Sequence, residues 1–292
     1  MQKRMKILVT GGAGLIGSHL VRELLRIGED VIVLDNLSTG RRENVPASVR
    51  LIEADMKSPE ILTLFEPENF DAVVHLAAQT TVGSSLKDPM NDAEENIFGT
   101  LNVLRAAIRN GAARLIFAST AAIYGDVPED CLPIEESRPA APMSFYGLSK
   151  FVAENYIKMY HDVYGLNYVI LRFANVFGEL QGESGEGGVI SLFAIIHAED
   201  IAAGICKALT TNHVNAIYNL STQTEISVNH ILSIFSTVAG AEIEHEHVPV
   251  RQGDIFRSCL SNRLALKKLD WQPRISLEEG IERTYPYICR KV

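Results

Sequence analysis

Short, almost continuously apolar runs alternate with stretches of helical period through the first half of the chain. Lys6–Thr10, Asp30–Leu34, Arg50–Glu53, Ala72–Leu76 and Arg114–Ser119 are rich in Val, Ile, Leu and Phe. That is the pattern of parallel strands covered on both faces; half-buried strands would alternate apolar and polar residues. Between these runs, Leu15–Ile27 and Asn91–Asn110 have helical periodicity, and in the second Ile97, Leu101, Leu104 and Ile108 fall on one face. Gly28 and Gly111 stand just past the two helices as C-terminal stops. A helix over Ala153–Tyr164 and a strand over Tyr168–Phe173 follow. Strand alternating with helix predicts an α/β fold with a doubly wound parallel sheet. We assign residues 1–174 to that part, with pieces of the later chain returning to it. After Gly178 the pattern loosens through Gly182, Gly185, Gly187 and Gly188, a loop by composition. Residues 175–292 read as a smaller, mixed and mainly substrate-binding region. No repeat, low-complexity tract or linker divides the two parts, so they are expected to share a cleft.

The first turn carries chemistry. Gly11, Gly14 and Gly17 follow the first strand directly and open the first helix. In that strand–turn–helix context Gly11 permits the tight turn, Gly14 lets backbone approach a pyrophosphate, and Gly17 packs helix on strand, as in a Rossmann-type dinucleotide site. The phosphates would sit at the helix N-terminus, where unpaired N–H groups and the dipole favour negative charge. Asp35 closes the second strand eighteen residues after Gly17. A carboxylate there accepts from ribose hydroxyls and repels a 2′-phosphate, which favours NAD over NADP. Arg41 and Arg42 either soften that preference or are two solvated charges after a turn.

Composition narrows the partners. With 47% hydrophobic and 22% charged residues, the chain can build a large core, and its net charge of −9 argues against nucleic acid or an acidic membrane as the main partner. A phosphorylated small molecule stays open, since it needs only local positive charge. Cys131, Cys206, Cys259 and Cys289 show no C-x-x-C spacing and no companion His cluster, so no metal is expected; they read as buried free thiols of a reducing compartment. The basic N-terminus runs straight into the glycine turn, unlike a signal peptide, and no segment has the apolar length to cross a bilayer. A cytoplasmic location is therefore expected.

Tyr146 and Lys150 lie four residues apart, on one face of a helix. An ammonium beside a phenol favours the phenolate, giving a general base for a hydroxyl proton. The pair follows a strand ending in Ser119-Thr120, at a plausible distance from the dinucleotide turn.

Together these residues identify the chain as resembling the extended short-chain dehydrogenase/reductase family, in particular its UDP-glucose 4-epimerase group. The similarity covers nearly the whole length. It includes Asp35-Asn36-Leu37-Ser38-Thr39-Gly40, Asp55-Met56, His75-Leu76-Ala77-Ala78, Asn96 with Gly99-Thr100, Ser119 through Gly125, Leu171 through Asn175, and Arg251-Gln252-Gly253-Asp254. The resemblance implies that Asp55 and Met56 flank the adenine, that Leu76, Ala77 and Ala78 line the cofactor, and that Asn96 supports that layer. It adds Leu15, Ile16, Asn36, Ser38, Thr39, Gly40, Gln79, Ala118 and Phe173 to the cofactor set, with Tyr146 and Lys150. Thr120 takes the place of a catalytic Ser/Thr that hydrogen-bonds the reacting sugar oxygen. Asn175 and Arg251 match positions that hold the nucleotide diphosphate, and Val82, Val189, Asp254 and Ser258 join Thr120 and Tyr146 on the substrate side. A homodimer is implied, through Asn91–Asn110 and Gly147–Tyr164.

Residues after Thr120 discriminate within the family. The 4,6-dehydratases and related decarboxylases carry an acidic residue just after the Ser/Thr; here Ala121 and Ala122 stand there, and neither moves a proton. NAD-dependent C4 epimerisation of a UDP-sugar fits best. Another NAD-linked sugar-nucleotide oxidoreductase, a dehydratase, a UDP-glucuronate epimerase and a non-catalytic NAD-binding regulator are the alternatives. The regulator would be expected to lack Tyr146 or Lys150, and a net dehydrogenase would accumulate NADH. Seven positions after Arg251 the epimerases carry a gate beside the sugar's C2 substituent. Ser258, a small residue, would admit an N-acetyl group, bringing UDP-GlcNAc/UDP-GalNAc beside UDP-glucose/UDP-galactose.

One departure stands out. Between Gly187–Phe193 and Ile196–Ile201 the family carries a helix, a short strand and a second diphosphate-binding arginine, whereas here Ala194-Ile195 joins the flanks directly. Either the chain is shortened, which should expose apolar flanks and weaken UDP-sugar binding, or residues are missing at the join. The matching flanks favour missing residues, and Cα atoms much more than about 3.8 Å apart would show it.

Overall fold

The computed structural model describes residues 4–64, 68–180, 195–246, 255 and 257–289. β1 (Lys6–Thr10) leads into α1 (Leu15–Arg26), and β2 (Asp30–Asp35) and β3 (Arg50–Glu53) follow. Next come α2 (Ile61–Leu64), β4 (Ala72–His75), α3 (Val82–Lys87), α4 (Pro89–Ala93) and α5 (Gly99–Arg109). β5 (Arg114–Thr120), α6 (Phe145–Tyr164) and β6 (Asn167–Phe173) complete the first half. The later chain adds β7 (Asn175–Phe177), β8 (Ile195–His197), α7 (Ala198–Thr210), β9 (Ala216–Leu220), α8 (Val228–Ala239), α9 (Arg263–Leu269) and α10 (Leu277–Cys289).

The main sheet has seven parallel strands in the order β3-β2-β1-β4-β5-β6-β9. β1 pairs with both β2 and β4, so strand order reverses between β1 and β4 and a crevice opens outside their carboxyl ends. The apolar strands serve two cores. Ile7, Val9, Val33 and Val74 face one side with Leu20 and Leu24 of α1 and Ile201 and Ile205 of α7. Leu8, Ile32, Val73 and Leu115 face the other with Leu104 of α5 and Ala153 and Ile157 of α6. This two-sided burial is why the strands read as unbroken apolar runs.

Four expectations change. The helix expected over Asn91–Asn110 is interrupted by a π-turn at Glu94–Phe98 between α4 and α5; its wider turn carries Asn96, whose buried side chain is tied to Gln79 of the β4–α3 loop. The helix expected from Ala153 begins at Phe145, because the Ser144 Oγ accepts from Gly147 N (3.1 Å) and caps it there. Cys131, Cys206, Cys259 and Cys289 are free, but only Cys259 is fully buried and Cys289 is exposed. The flank downstream of the join is not exposed: Ile195 and Ile196 pair β8 to β7 and are 2% and 0% exposed. Ala194 lies outside the described residues, and with it the spacing of the join. Among the described residues no helix is long and apolar enough to cross a membrane.

Candidate active site

The glycine turn lies at the switch point. Gly11 has φ +71°, and a Cβ on it would fall 2.7 Å from Ala77 N; one on Gly17 would fall 2.1 Å from the Gly11 carbonyl. Both positions are closed to a side chain, which ties β1, α1 and the end of β4 together. Gly14 differs: a Cβ there would meet only the Gly11 carbonyl, at 3.4 Å, so its backbone faces open space. No side chain caps α1 at Gly14, leaving the first-turn N–H groups to an anion. Asp35 is fixed beside them: its Oδ2 accepts from Ala13 N and its Oδ1 from Leu37 N, each at 2.9 Å. These groups fit a dinucleotide with an unphosphorylated ribose. Arg42 turns away to pair with Glu53 on the surface. Asn36, Ser38 and Thr39 line the exposed loop after β2, and Gly40 packs under Ala13. Leu15 and Ile16 are half-buried on the first turn of α1. Asp55 is half-buried, whereas Met56 is buried and packs against Gly99.

A neutral chain of hydroxyls and imidazole holds the β4 end. Thr100 Oγ1 donates to Asn96 O (2.6 Å) and so accepts from His75 Nε2 (3.0 Å); His75 Nδ1 then accepts from Thr10 Oγ1 (2.7 Å). Thr10 Oγ1 in turn receives Leu76 N and Ala77 N, both at 3.2 Å, which shapes the loop through Ala78 and Gln79. Burial pushes the His75 imidazole down to about 3, and the Lys150 charge adds to it. Folded His75 therefore binds fewer protons than unfolded His75 between pH 6.5 and 3. Its stabilising contribution is full above 6.5 and is lost as pH falls through that window. Unfolding midpoints measured across it should fall more steeply for the wild type than for His75→Asn.

The candidate catalytic residues lie at the end of β5 and on α6. Thr120 ends the strand, and its Oγ1 accepts from Ala122 N (3.1 Å), which leaves its proton to donate outward. α6 brings half-buried Tyr146 and buried Lys150 over this strand, one turn apart. Lys150 Nζ donates to Ala118 O (2.9 Å) and lies 4.8 Å from the Phe117 ring centroid. Burial pulls the ammonium down to about 8, against the opposing fields of Asp92 and Glu154.

Two carboxylates here were not foreseen. Glu154, one turn beyond Lys150, is fully buried; its Oε1 accepts from Ser119 Oγ (2.7 Å) and Arg172 Nε (2.9 Å), and its Oε2 from Arg172 Nη2 (2.6 Å). Arg172, a charged residue in an otherwise apolar strand, was the available signal. Asp92 is buried beside Gln79 and Asn96.

Register brings Thr10, His75, Thr120 and Phe173 to the same end of the sheet. Ala118 and Phe173 are buried beneath that end, and Val82 opens α3 at its rim. Asn175 is exposed at the start of β7, and Ser258 is half-buried next to Cys259. Val189, Arg251 and Asp254 lie outside the described residues.

A family model described as the NAD-dependent epimerase/dehydratase family matches residues 7–195. The chain belongs to that family. UDP-glucose 4-epimerase of Mycolicibacterium smegmatis is 32% identical, over 98% of this chain and 99% of that protein. The alignment spans 313 positions, more than the 292 residues here, so that relative carries residues this chain lacks. The structure of Thermus thermophilus UDP-glucose 4-epimerase in complex with NAD superposes with a TM-score of 0.91 at 37% identity, covering 99% of this chain and 100% of that one. The Thermotoga maritima UDP-glucose 4-epimerase with UDP-glucose also gives 0.91, at 33% identity and coverages of 98% and 99%.

Proposed function

We propose that the chain interconverts the C4 epimers of a UDP-sugar with bound NAD. The observation that carries this reading is that β5 ends at Thr120 while α6 seats Lys150 Nζ on Ala118 O of that strand, with Tyr146 one turn earlier, at the sheet end that carries the glycine turn. Gly14, the α1 N-terminus and Asp35 would hold NAD, which would supply a reversible hydride acceptor for the sugar's C4. The chain's own part is proton handling and orientation. Tyr146 removes the C4 hydroxyl proton and later returns it. Thr120 donates a hydrogen bond to the same oxygen, and the Lys150 ammonium stabilises the phenolate. Ala121 and Ala122 supply no acid for eliminating water. The relatives' printed activities and the complexes with NAD and UDP-glucose support the same reading.

Incubating the protein separately with UDP-glucose, UDP-GlcNAc and UDP-glucuronate, and following product and cofactor redox state together, tests it. Epimer formation with no net NADH is expected; accumulating NADH, or a dehydrated product, would overturn it. Half-buried Ser258 supports acceptance of the N-acetylated pair beside the glucose pair, and complete failure with UDP-GlcNAc would sink that extension.

The homodimer has support on α6. Phe145, Leu148, Tyr156, Met159 and Val163 are all more than 40% exposed and recur at helical spacing, an apolar stripe left uncovered by the described residues. Exposed Met90 and Phe98 add to it from α4 and the π-turn. Met159→Glu combined with Val163→Glu should convert a dimer to a monomer in light scattering; an unchanged mass would refute this face.

A further inference from the structure

Asp92 lies on α4 with 1% of its surface exposed. Its Oδ1 accepts from Gln79 Nε2 (2.7 Å) and from Asn96 Nδ2 (3.2 Å), and the same Asn96 amide reaches Ser149 Oγ (3.1 Å), the neighbour of Lys150. All of these groups are neutral. A buried carboxylate held only by neutral groups needs a counter-charge or must take up a proton. Glu154, the other carboxylate near Lys150, is already neutralised by Arg172. Of the remaining groups around Asp92, Lys87, Asp88 and Glu94 are exposed, Glu95 pairs with Lys57 (2.5 Å), and His75 is neutral. Among the described residues, Lys150 is what remains. Burial raises the Asp92 carboxyl, while hydrogen bonds from Ser149 and Gln79 and then the Lys150 charge lower it; Asp92 in turn stands first among the charges that support the Lys150 ammonium.

We propose that Asp92 is a positioning residue for the base pair, the buried counter-charge that keeps Lys150 an ammonium next to Tyr146. This rests on Tyr146 and Lys150 acting as read above. Removing a negative charge lowers the proton affinity of every group nearby, Tyr146 and Lys150 alike. Asp92→Asn keeps the shape and loses the charge. In the NAD-loaded enzyme both limbs of the kcat/KM profile for UDP-galactose should therefore move to lower pH, by roughly one unit. Asp92→Glu should return them toward their wild-type positions. Ser149→Ala removes one hydrogen-bond partner of the carboxylate but no charge and should move them far less than Asp92→Asn does. Limbs that stay put in Asp92→Asn while kcat falls uniformly, or that move to higher pH, would overturn the proposal; so would a Ser149→Ala shift as large as that of Asp92→Asn, which would mean a hydrogen-bond relay.

The near-ultraviolet phenolate absorbance of Tyr146, taken as the difference from Tyr146→Phe, should titrate at lower pH in Asp92→Asn as well. That signal needs no turnover. A wild type inactive on every UDP-sugar would refute the proposed function, while the phenolate titration would still decide the role of Asp92. Asp92→Ser, smaller and equally neutral, replaces the asparagine variant if that one does not fold.

Discussion

Tyr146→Phe should lower kcat for epimerisation by about 10²- to 10⁴-fold, the usual contribution of a positioned acid–base group. The phenol is half-buried on α6, so losing one oxygen should leave the fold, the bound NAD and the KM for UDP-sugar close to wild type. Steady-state kinetics beside cofactor content would check it. A variant with kcat within a few-fold of wild type would remove Tyr146 from the chemistry. Lys150→Met should fall at least as far, because it takes away both the ammonium that favours the phenolate and the hydrogen bond to Ala118 O. Unlike Tyr146→Phe, it should recover in part at high pH, where solvent hydroxide can deprotonate the phenol without the ammonium's help.

The largest stability effect is expected behind the site. Glu154→Ala should cost about 3–5 kcal/mol, because it strands a buried guanidinium. The side chains of Arg172 and Glu154 are 4% and 0% exposed, and one Arg172 nitrogen, Nη1, already has no hydrogen-bond partner. Burial works against the Arg172 charge, and the Glu154 carboxylate more than reverses it. The Arg172 guanidinium also lies 4.8 Å from the Tyr124 ring centroid. Tyr124 OH in turn donates to Asn219 Oδ1 (2.8 Å) on β9. Losing Glu154 therefore loosens β5, β6 and β9 together. Denaturant unfolding is the measurement. The double variant Glu154→Gln with Arg172→Met should regain much of the loss, since a neutral pair leaves no orphaned charge. Arg26→Ala, which breaks an exposed pair with Glu23, should by contrast change little.

What the amino-acid pattern reveals, and what it hides, follows from where each interaction is local. Strands buried on both faces, a glycine turn that excludes side chains and a Tyr/Lys pair on one helix face are short-range facts, and the doubly wound parallel sheet and the tight turn between β1 and α1 were legible from them. The π-turn was not, because one wider turn barely disturbs the phase of Ile97, Leu101, Leu104 and Ile108. Nor were the partners of Glu154 and Asp92 legible. Glu154 meets Arg172 from a different element, and Asp92 reaches the site through Gln79 and Asn96, pairings that only the folded topology creates. Ser144 as a cap could have been found: a serine three residues before a helical glycine is a local signal, hidden here by the prolines just upstream.

The way the later chain rejoins the sheet bears on how such a gene can be rearranged. β8 and α7 come after β7 in the chain, yet α7 packs on α1 and β9 becomes the outer strand beside β6. No single cut in the coding sequence separates a complete cofactor-binding half from the rest: a break after residue 174 strips away a strand and a helix that cover its core. Recombination that exchanges specificity while keeping the cofactor half intact must therefore replace internal loops and leave the return path in place, so new substrate ranges should arise by insertion and deletion within the chain rather than by fusion at its ends.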